Sequence, residues 1–347
     1  MHPNKGKGEK MGLKRLAIWL LSCLLLAGSV TSVYAIDEDE TVSFIVNGTS
    51  YPTFNEALEA ASEGDLEDNS FKLVHDIDGS VGKSEGFLGY TIKENESFYL
   101  DLNGHSIIIE DKVPIDKDFI LFQNNGEITI DDTSSEGKGV LKVFNTKEFD
   151  YSYAHATVII RSSKWASSEE TQIKTTVNIK GGFITMESED NNGLANLCYA
   201  VDAMDSTTVN LSSGTLQGDY YAVRLYIQNG YGDVTLNMTE GTIKEGEGRR
   251  TPLIHAQYGG YGSNPNDKYK ININISGGKL YCPNEALVYY GWSKAIPLNI
   301  KLSKCEIQSP GIIDDHYYQI IEDDDNWFKL ARIDIGNDVV VDKDYIR

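Results

Sequence analysis

Five segments of the chain repeat one pattern: a short alternating strand, a turn built on glycine or another small residue, and a second strand. They are Val177–Ile184, Val209–Leu216, Leu236–Ile243, Ile273–Leu280 and Leu298–Ile307. The turn residues fall at 182, 214, 241, 278 and 305, so the intervals are 32, 27, 37 and 27. A repeat of this length with unequal intervals implies a constant structural unit carrying loops of variable length. Such units pack on their neighbours and not around one central core.

A third strand follows in each repeat, at Tyr199–Met204, Tyr221–Tyr226, Pro252–Gln257 and Glu285–Tyr290. A propeller blade needs four antiparallel strands. Three short strands per unit predict an all-β chain wound as a right-handed parallel β-helix with three strands per coil. Fainter copies lie upstream: Phe98–Ile109, which turns at Asn103-Gly104, and Ile128–Val143, with third strands at Phe119–Phe122 and Ala156–Ile160. The β-helix is expected over residues 42–319. Its first coil needs a cover, because apolar core and strand edges would otherwise meet water. A strand at Val42–Val46, a turn at Asn47-Gly48 and a capping helix over 53–62 provide one. Thr53 and Glu56 have capping-box spacing, Phe54, Ala57, Leu58 and Ala61 share a face, and Gly64 is placed to end the helix. Residues 320–347 read as a C-terminal cap or tail.

The first 35 residues read as a signal peptide. Lys5, Lys7, Lys10, Lys14 and Arg15 precede an apolar run from Leu16 to Gly28, and Val33-Tyr34-Ala35 is a small-residue cleavage site. Leu20-Leu21-Ser22-Cys23 resembles a lipobox, but the apolar run continues past the cysteine, so cleavage after Ala35 is preferred. Residues 36–41 are an acidic linker. The expected location is therefore secreted, at the cell surface or beyond it, and no membrane-spanning segment is expected in the mature chain. The whole chain carries 31 Lys+Arg against 52 Asp+Glu, a net charge of −21. Removing the leader's five basic residues and one acid leaves 26 against 51, or −25. Such a surface excludes nucleic acid as a partner. It opposes polyanionic polysaccharide as well, unless Ca²⁺ bridges the charges; no other cofactor is implied. Cys198, Cys282 and Cys305 remain after cleavage. They form no disulfide framework or zinc pattern, and Cys282 with Cys305, about one coil apart, either pair or stay buried thiols.

Tyr51-Pro-Thr-Phe-Asn-Glu-Ala-Leu-Glu-Ala-Ala, Phe71-Lys-Leu-Val-His-Asp-Ile and Tyr99-Leu-Asp-Leu-Asn-Gly-His-Ser-Ile, with the later Gly-x-Ile/Leu turns, carry a resemblance. Over roughly residues 42–313 the chain resembles the pectate-lyase-like β-helix domains of bacterial secreted and surface proteins, those of Firmicutes especially. The resemblance implies the fold. It does not imply one activity, because this fold hosts lyases, hydrolases, adhesins and spacers. The family's Arg-x-Pro-x-x-Arg is incomplete: Arg250-Thr251-Pro252-Leu253-Ile254 ends in His255. Asp131-Asp132 and Asp314-Asp315 lie in different coils, so neither a Ca²⁺ cage nor a two-carboxylate glycosidase site is supported.

Equivalent residues of successive coils sit about 4.8 Å apart, so columns act as sites. With Val201, Val223, Ile254 and Leu287 pointing inward, Asp202, Arg224, His255 and Val288 form one outward column. Met204, Tyr226, Gln257 and Tyr290 form another, and Tyr289 takes an inward phase. Asp202, Arg224 and His255 have the residue types of an acid, a cation and a base for a sugar acid, or of a surface ion pair beside a solvated histidine. Tyr226, Tyr231, Gln257, Tyr258, Tyr261, Tyr290 and Trp292 compose an aromatic ridge suited to stacking on sugar rings or on a protein partner. The favoured reading is a noncatalytic, adhesin-like binder of polysaccharide, cell-surface glycan or protein. The alternatives are a polysaccharide lyase using Arg224 and His255 on a uronic-acid polymer, and a structural spacer.

Overall fold

The computed structural model describes residues 42–63, 69–82, 86–114, 116–146, 156–162, 172–189, 197–228, 231–246, 250–258, 269–291, 298–312 and 331–341. The chain divides into two units, 1–41 and 42–347, and the described residues all belong to the second. The expected signal peptide, cleavage site and acidic linker lie outside them. Among the described residues, no helix is long and apolar enough to cross a membrane.

The second unit is a right-handed parallel β-helix of three sheets. Each coil runs through sheet B, turns at the glycine corner into sheet A, and crosses to sheet C before starting again. One coil shows the order: Thr175–Ile179 in sheet B, Phe183–Ser188 in sheet A, Leu197–Met204 in sheet C. Equivalent strands of successive coils pair in parallel and in register, as Val177, Val209, Leu236, Ile273 and Ile300 do. This column and its neighbour Ile179–Leu211–Met238–Ile275–Leu302 are buried. The alternating residues read from the sequence are therefore stacked aliphatic columns, each buried side chain contributing about 1.5–3 kcal/mol.

The N-terminal cover forms from the expected parts. Val42–Val46 and Thr49–Tyr51 make a hairpin through Asn47 and Gly48, both in the left-handed region at φ 49° and 75°. The hairpin lies antiparallel on Ile77–Val81 and closes that edge of sheet A. The helix α1 (Phe54–Ala61) buries Phe54, Ala57, Leu58 and Ala61, and Phe54 meets the rings of Phe44 and Phe122, both at 5.6 Å. Half of the capping box is present. The Glu56 amide donates to Thr53 Oγ1 at 3.2 Å, while the Glu56 carboxylate accepts from that hydroxyl and not from the Thr53 backbone. The helix ends at Ala61, with Ser62 as its cap, and Gly64 lies outside the described residues. At the other end the sheets continue past residue 319. Ala331–Ile335 and Val340–Val341 pair in parallel with Leu298–Leu302 and Glu306–Gln308 as one more partial coil.

The glycine corner is required twice over. Gly182, Gly214, Gly241 and Gly278 all have φ between 78° and 87°. A Cβ on Gly241 would lie 2.7 Å from the Gly214 carbonyl oxygen, and one on Gly278 would lie 2.6 Å from that of Gly241. In the next coil Cys305 takes this register without strain, because Lys304 adopts the left-handed conformation instead, at φ 49°. Gly241→Ala is accordingly expected to cost at least about 2 kcal/mol, read as a lowered denaturant midpoint. A loss under 0.5 kcal/mol (about the effect of an ordinary surface change) would contradict this account. Cys198, Cys282 and Cys305 are all buried free thiols, so Cys282 and Cys305 do not pair.

Sheet C has a feature that the alternating pattern conceals. Pairing runs from Tyr199↔Tyr221 directly to Val201↔Val223 and passes over Ala200 and Ala222. The Leu253 carbonyl accepts from both the Ala222 and Val223 amides, at 3.0 and 3.2 Å, and the Leu287 carbonyl accepts from Leu253 and Ile254 at 3.0 Å each. One carbonyl serving two successive amides is the arrangement of a bulge, here repeated coil after coil. Two consecutive side chains then point inward: Ala200 with Val201, Ala222 with Val223, Leu253 with Ile254, Leu287 with Val288. Residues three apart across the bulge, such as Tyr221 and Arg224, consequently share the outer face.

Candidate functional site

The outer face of sheet C carries the expected column, with one correction. Asp202 pairs in register with Arg224, and Arg224 with His255. The next member is Tyr289, not Val288, because Val288 aligns with Ile254 and is buried. Leu287 and Val288 both point inward, and a period of two fitted to either one gives opposite phases for everything after. For the same reason Tyr290 aligns with Ala256 and packs against the core, so it is not a ligand-facing residue. Tyr289 takes the outward place.

Bulge geometry adds a second row to this face. Tyr199 and Tyr221 stack with centroids 6.0 Å apart, and the Tyr221 ring lies 4.6 Å from His255 and 6.0 Å from Tyr289. The column is outward yet covered: Asp202, Arg224 and His255 are 0%, 7% and 5% exposed. The expectation of a surface ion pair beside a solvated histidine is thus corrected to a buried network. Arg224 donates from Nε and Nη2 to the two Asp202 oxygens at 2.7 and 2.6 Å. Arg161 of the preceding coil donates from Nε to Asp202 at 3.0 Å and from Nη1 to Asp118 at 2.8 Å. The Arg224 guanidinium is sandwiched by Tyr199 and Tyr226, at 4.6 and 4.7 Å from their centroids.

These contacts fix the charge states. Burial alone would raise the Asp202 carboxyl, but the Arg224 guanidinium, and then Arg161, outweigh it and hold it below the usual carboxylate range. Asp202 in turn outweighs the burial of Arg224 and keeps it protonated. Burial, reinforced by the Arg224 charge, pushes the His255 imidazole down to about 3. Burial raises the Tyr199 and Tyr221 phenols. His255 Nδ1 and the Tyr199 hydroxyl share a hydrogen bond at 3.3 Å, while His255 Nε2 and Gln257 Oε1 are buried and have no hydrogen-bond partner among the described residues. A base matched to neutral pH needs a pKa near 7, and this imidazole lies far below that. The Nε–Nη2 edge of Arg224 is taken by Asp202.

The remaining expected site residues are divided. Tyr226 pairs in register with Gln257, both half-buried beside Arg224. Tyr231 lies beyond the strand, at the corner leading to sheet B, where its carbonyl accepts from Ser206 Oγ at 3.0 Å. Tyr258 belongs to the strand Ile254–Tyr258, but its side chain, like Tyr261 and Trp292, is outside the described residues. Asp131 and Asp132 are occupied at the glycine corner. Asp131 accepts from the Tyr99 hydroxyl at 3.0 Å, and Asp132 from the Gly104 and Gly139 amides at 2.8 and 2.6 Å. Asp314-Asp315 is outside the described residues. Among those described, no group of three or more His, Cys, Asp or Glu is placed to hold a metal ion.

Sequence reasoning missed Arg161, Tyr199, Tyr221 and Tyr289. Arg161 follows Ile160 just as Asp202 follows Val201, so the phase that found Asp202 would have found it. The tyrosines required knowledge of the bulge. No family model matches the chain, and neither the curated proteins nor the solved structures hold a significant match to it.

Proposed function

We propose that this chain is a noncatalytic binding β-helix of the cell exterior, adhesin-like, whose sheet C face holds a glycan or a surface ligand. One observation carries the reading: the three residues best suited to chemistry are spent on each other. Asp202 is clamped by two arginines, Arg224 is forked onto Asp202 between two rings, and His255 is a buried neutral imidazole. What they support is a stiff aromatic wall on which Tyr226 and Gln257 remain partly open. Rigid aromatics beside amides bind sugar faces at little entropic cost. The resemblance to pectate-lyase-like surface domains and the predicted signal peptide agree with an exported binder.

The test is a glycan array probed with wild type, Tyr226→Ala and Gln257→Ala. Tyr226→Ala is expected to weaken binding about tenfold or more, the loss of one stacked aromatic anchor. Equal binding by all three proteins would remove sheet C as the site. Uronic-acid polymers incubated with the chain, with and without Ca²⁺, are expected to release no unsaturated product. Release that Arg224→Ala abolishes would establish the lyase reading instead.

A further inference from the structure

The outer face of sheet B bears two columns that the function above does not use. One is Thr176, Thr208, Thr235, Asn272 and Asn299; the other is Asn178, Asn210, Asn237 and Asn274. All nine side chains are half-buried and uncharged, in a chain of net charge −21. The asparagines form a ladder with one direction. Asn210 donates from Nδ2 to Oδ1 of Asn178 at 2.9 Å, Asn237 to Asn210 at 3.0 Å, and Asn274 to Asn237 at 3.0 Å. The first rung, Asn178, donates to Glu127 at 2.8 Å. Asn210, Asn237 and Asn274 each spend one N–H on the ladder and carry a second, whereas Asn178 also donates to Thr129 Oγ1 at 3.3 Å, and the ladder fixes the orientation of the amides in advance of any ligand.

The ladder stops at a polar groove of about 390 Å³ lined by Lys270, Asn272, Asn274, Asn299, Lys301 and Asp334. Lys301 stands where the next asparagine would be, so Asn274 Oδ1 receives no amide from the following coil. Lys270 and Lys301 make no ion pair among the described residues. Asp334 follows Lys301 in register and lines the same groove. Among the lining residues two ammonium groups face one carboxylate, one net positive charge in a protein that is otherwise strongly acidic; Asp233, outside the lining, accepts from the Lys270 backbone amide at 2.8 Å.

We propose that this groove and the strip leading to it form a second binding site, on a different sheet from the first and independent of it. Its ligand is a largely neutral saccharide chain bearing one carboxylate. Sugar hydroxyls meet the threonine and asparagine columns, and the carboxylate sits between Lys270 and Lys301. A chain charged at every residue is disfavoured, because one net positive charge answers one carboxylate and the rest of the surface repels others. The carboxylate's source is either a uronate or a sialic acid, which share the chemistry of an oxyanion flanked by hydroxyls.

Calorimetric titration of the full chain separates these cases. The probes are sialyllactose, a xylotriose carrying one glucuronate, the neutral parents lactose and xylotriose, and polygalacturonate. One acidic probe is expected to bind at least about tenfold more tightly than its neutral parent, with Lys270→Ala and Lys301→Ala each removing about that factor. Binding should weaken as salt rises. Which acidic probe binds identifies the source. Asn274→Leu should weaken both the acid and its parent, while Tyr226→Ala should change neither. The proposal is overturned if neither acidic probe binds at millimolar concentration, if acid and parent bind alike, if polygalacturonate is preferred, or if both lysine variants, folded by circular dichroism, bind as wild type. Loss on Tyr226→Ala alone would return the ligand to sheet C and leave that reading standing.

Discussion

Asp202→Ala is expected to lower the stability of sheet C by about 3–5 kcal/mol, the cost of stranding buried charge. Two guanidinium groups, the partly exposed Arg161 and the buried Arg224, would lose the fully buried carboxylate they share. Asp202→Asn should cost nearly as much, because an amide keeps the shape and not the charge. The double variant Asp202→Leu/Arg224→Leu should recover part of the loss, since it removes both partners of the closest pair. In a stack of coils such damage is local, so the measurement is amide hydrogen exchange on Tyr221–Ile227 together with the denaturant midpoint. A loss below about 1 kcal/mol, the scale of an exposed pair, would show that the column is open to solvent. The pH dependence has a definite sign. The Asp202 carboxyl is held below its unfolded value, so its contribution is complete above an unfolded pKa of about 3.9. That contribution disappears as pH falls through the lower folded value.

His255 is expected to make the fold acid-labile at higher pH than Asp202 does. An unfolded imidazole takes a proton near pH 6.5, whereas the folded one stays neutral down to about 3. Between these values the unfolded chain binds a proton that the folded chain refuses. Stability therefore falls by up to about 1.4 kcal/mol per pH unit below 6.5 and levels off below about 3. His255→Phe keeps a ring against Tyr221 and Tyr289 but strands the buried Tyr199 hydroxyl that shares a hydrogen bond with Nδ1, so it should cost about 1–3 kcal/mol at pH 7. It should flatten that part of the profile. Denaturant midpoints of both proteins at pH 7, 5.5 and 4 decide the matter, and parallel profiles would mean that the histidine is not buried as a neutral group.

The legible part of the fold was the part under two constraints at once. Glycines at 182, 214, 241 and 278 satisfy both a left-handed φ and a close carbonyl, so they recur where the coil recurs. Alternating aliphatics on either side set the faces, and that phase alone brought Asp202, Arg224 and His255 together. Burial of the column was not legible, because its covering partners Tyr199 and Tyr221 stand across the bulge, where alternation fails. The same failure exchanged Val288 for Tyr289 and gave Tyr290 an outward place. Arg161 was passed over because its coil precedes the first clear glycine turn. The asparagine ladder was visible letter by letter in Val177-Asn178-Ile179 and its copies, but alternation reports only which way a residue points.

The glycine corner and the asparagine ladder occupy the same four coils, 178–182, 210–214, 237–241 and 274–278. On either side the pattern changes: Asn103-Gly104 bends through two left-handed residues upstream, and Lys304-Cys305 replaces the glycine downstream. The molecule thus has an interchangeable middle between two fitted ends. Within that middle every rung offers its neighbour the same corner carbonyl and the same amide, so there the joint between any two is the same joint, while on sheet C the pairs Asp202 with Arg224 and Arg224 with His255 make each joint different. A whole rung gained or lost there, such as the 27 residues from Gly214 to Glu240, would leave the glycine corner and the asparagine ladder mated, but on sheet C it would take Arg224 from Asp202 and strand a buried charge. In this protein the corner and the ladder would tolerate a change of length in steps of one coil, and the charged column of sheet C is what resists it.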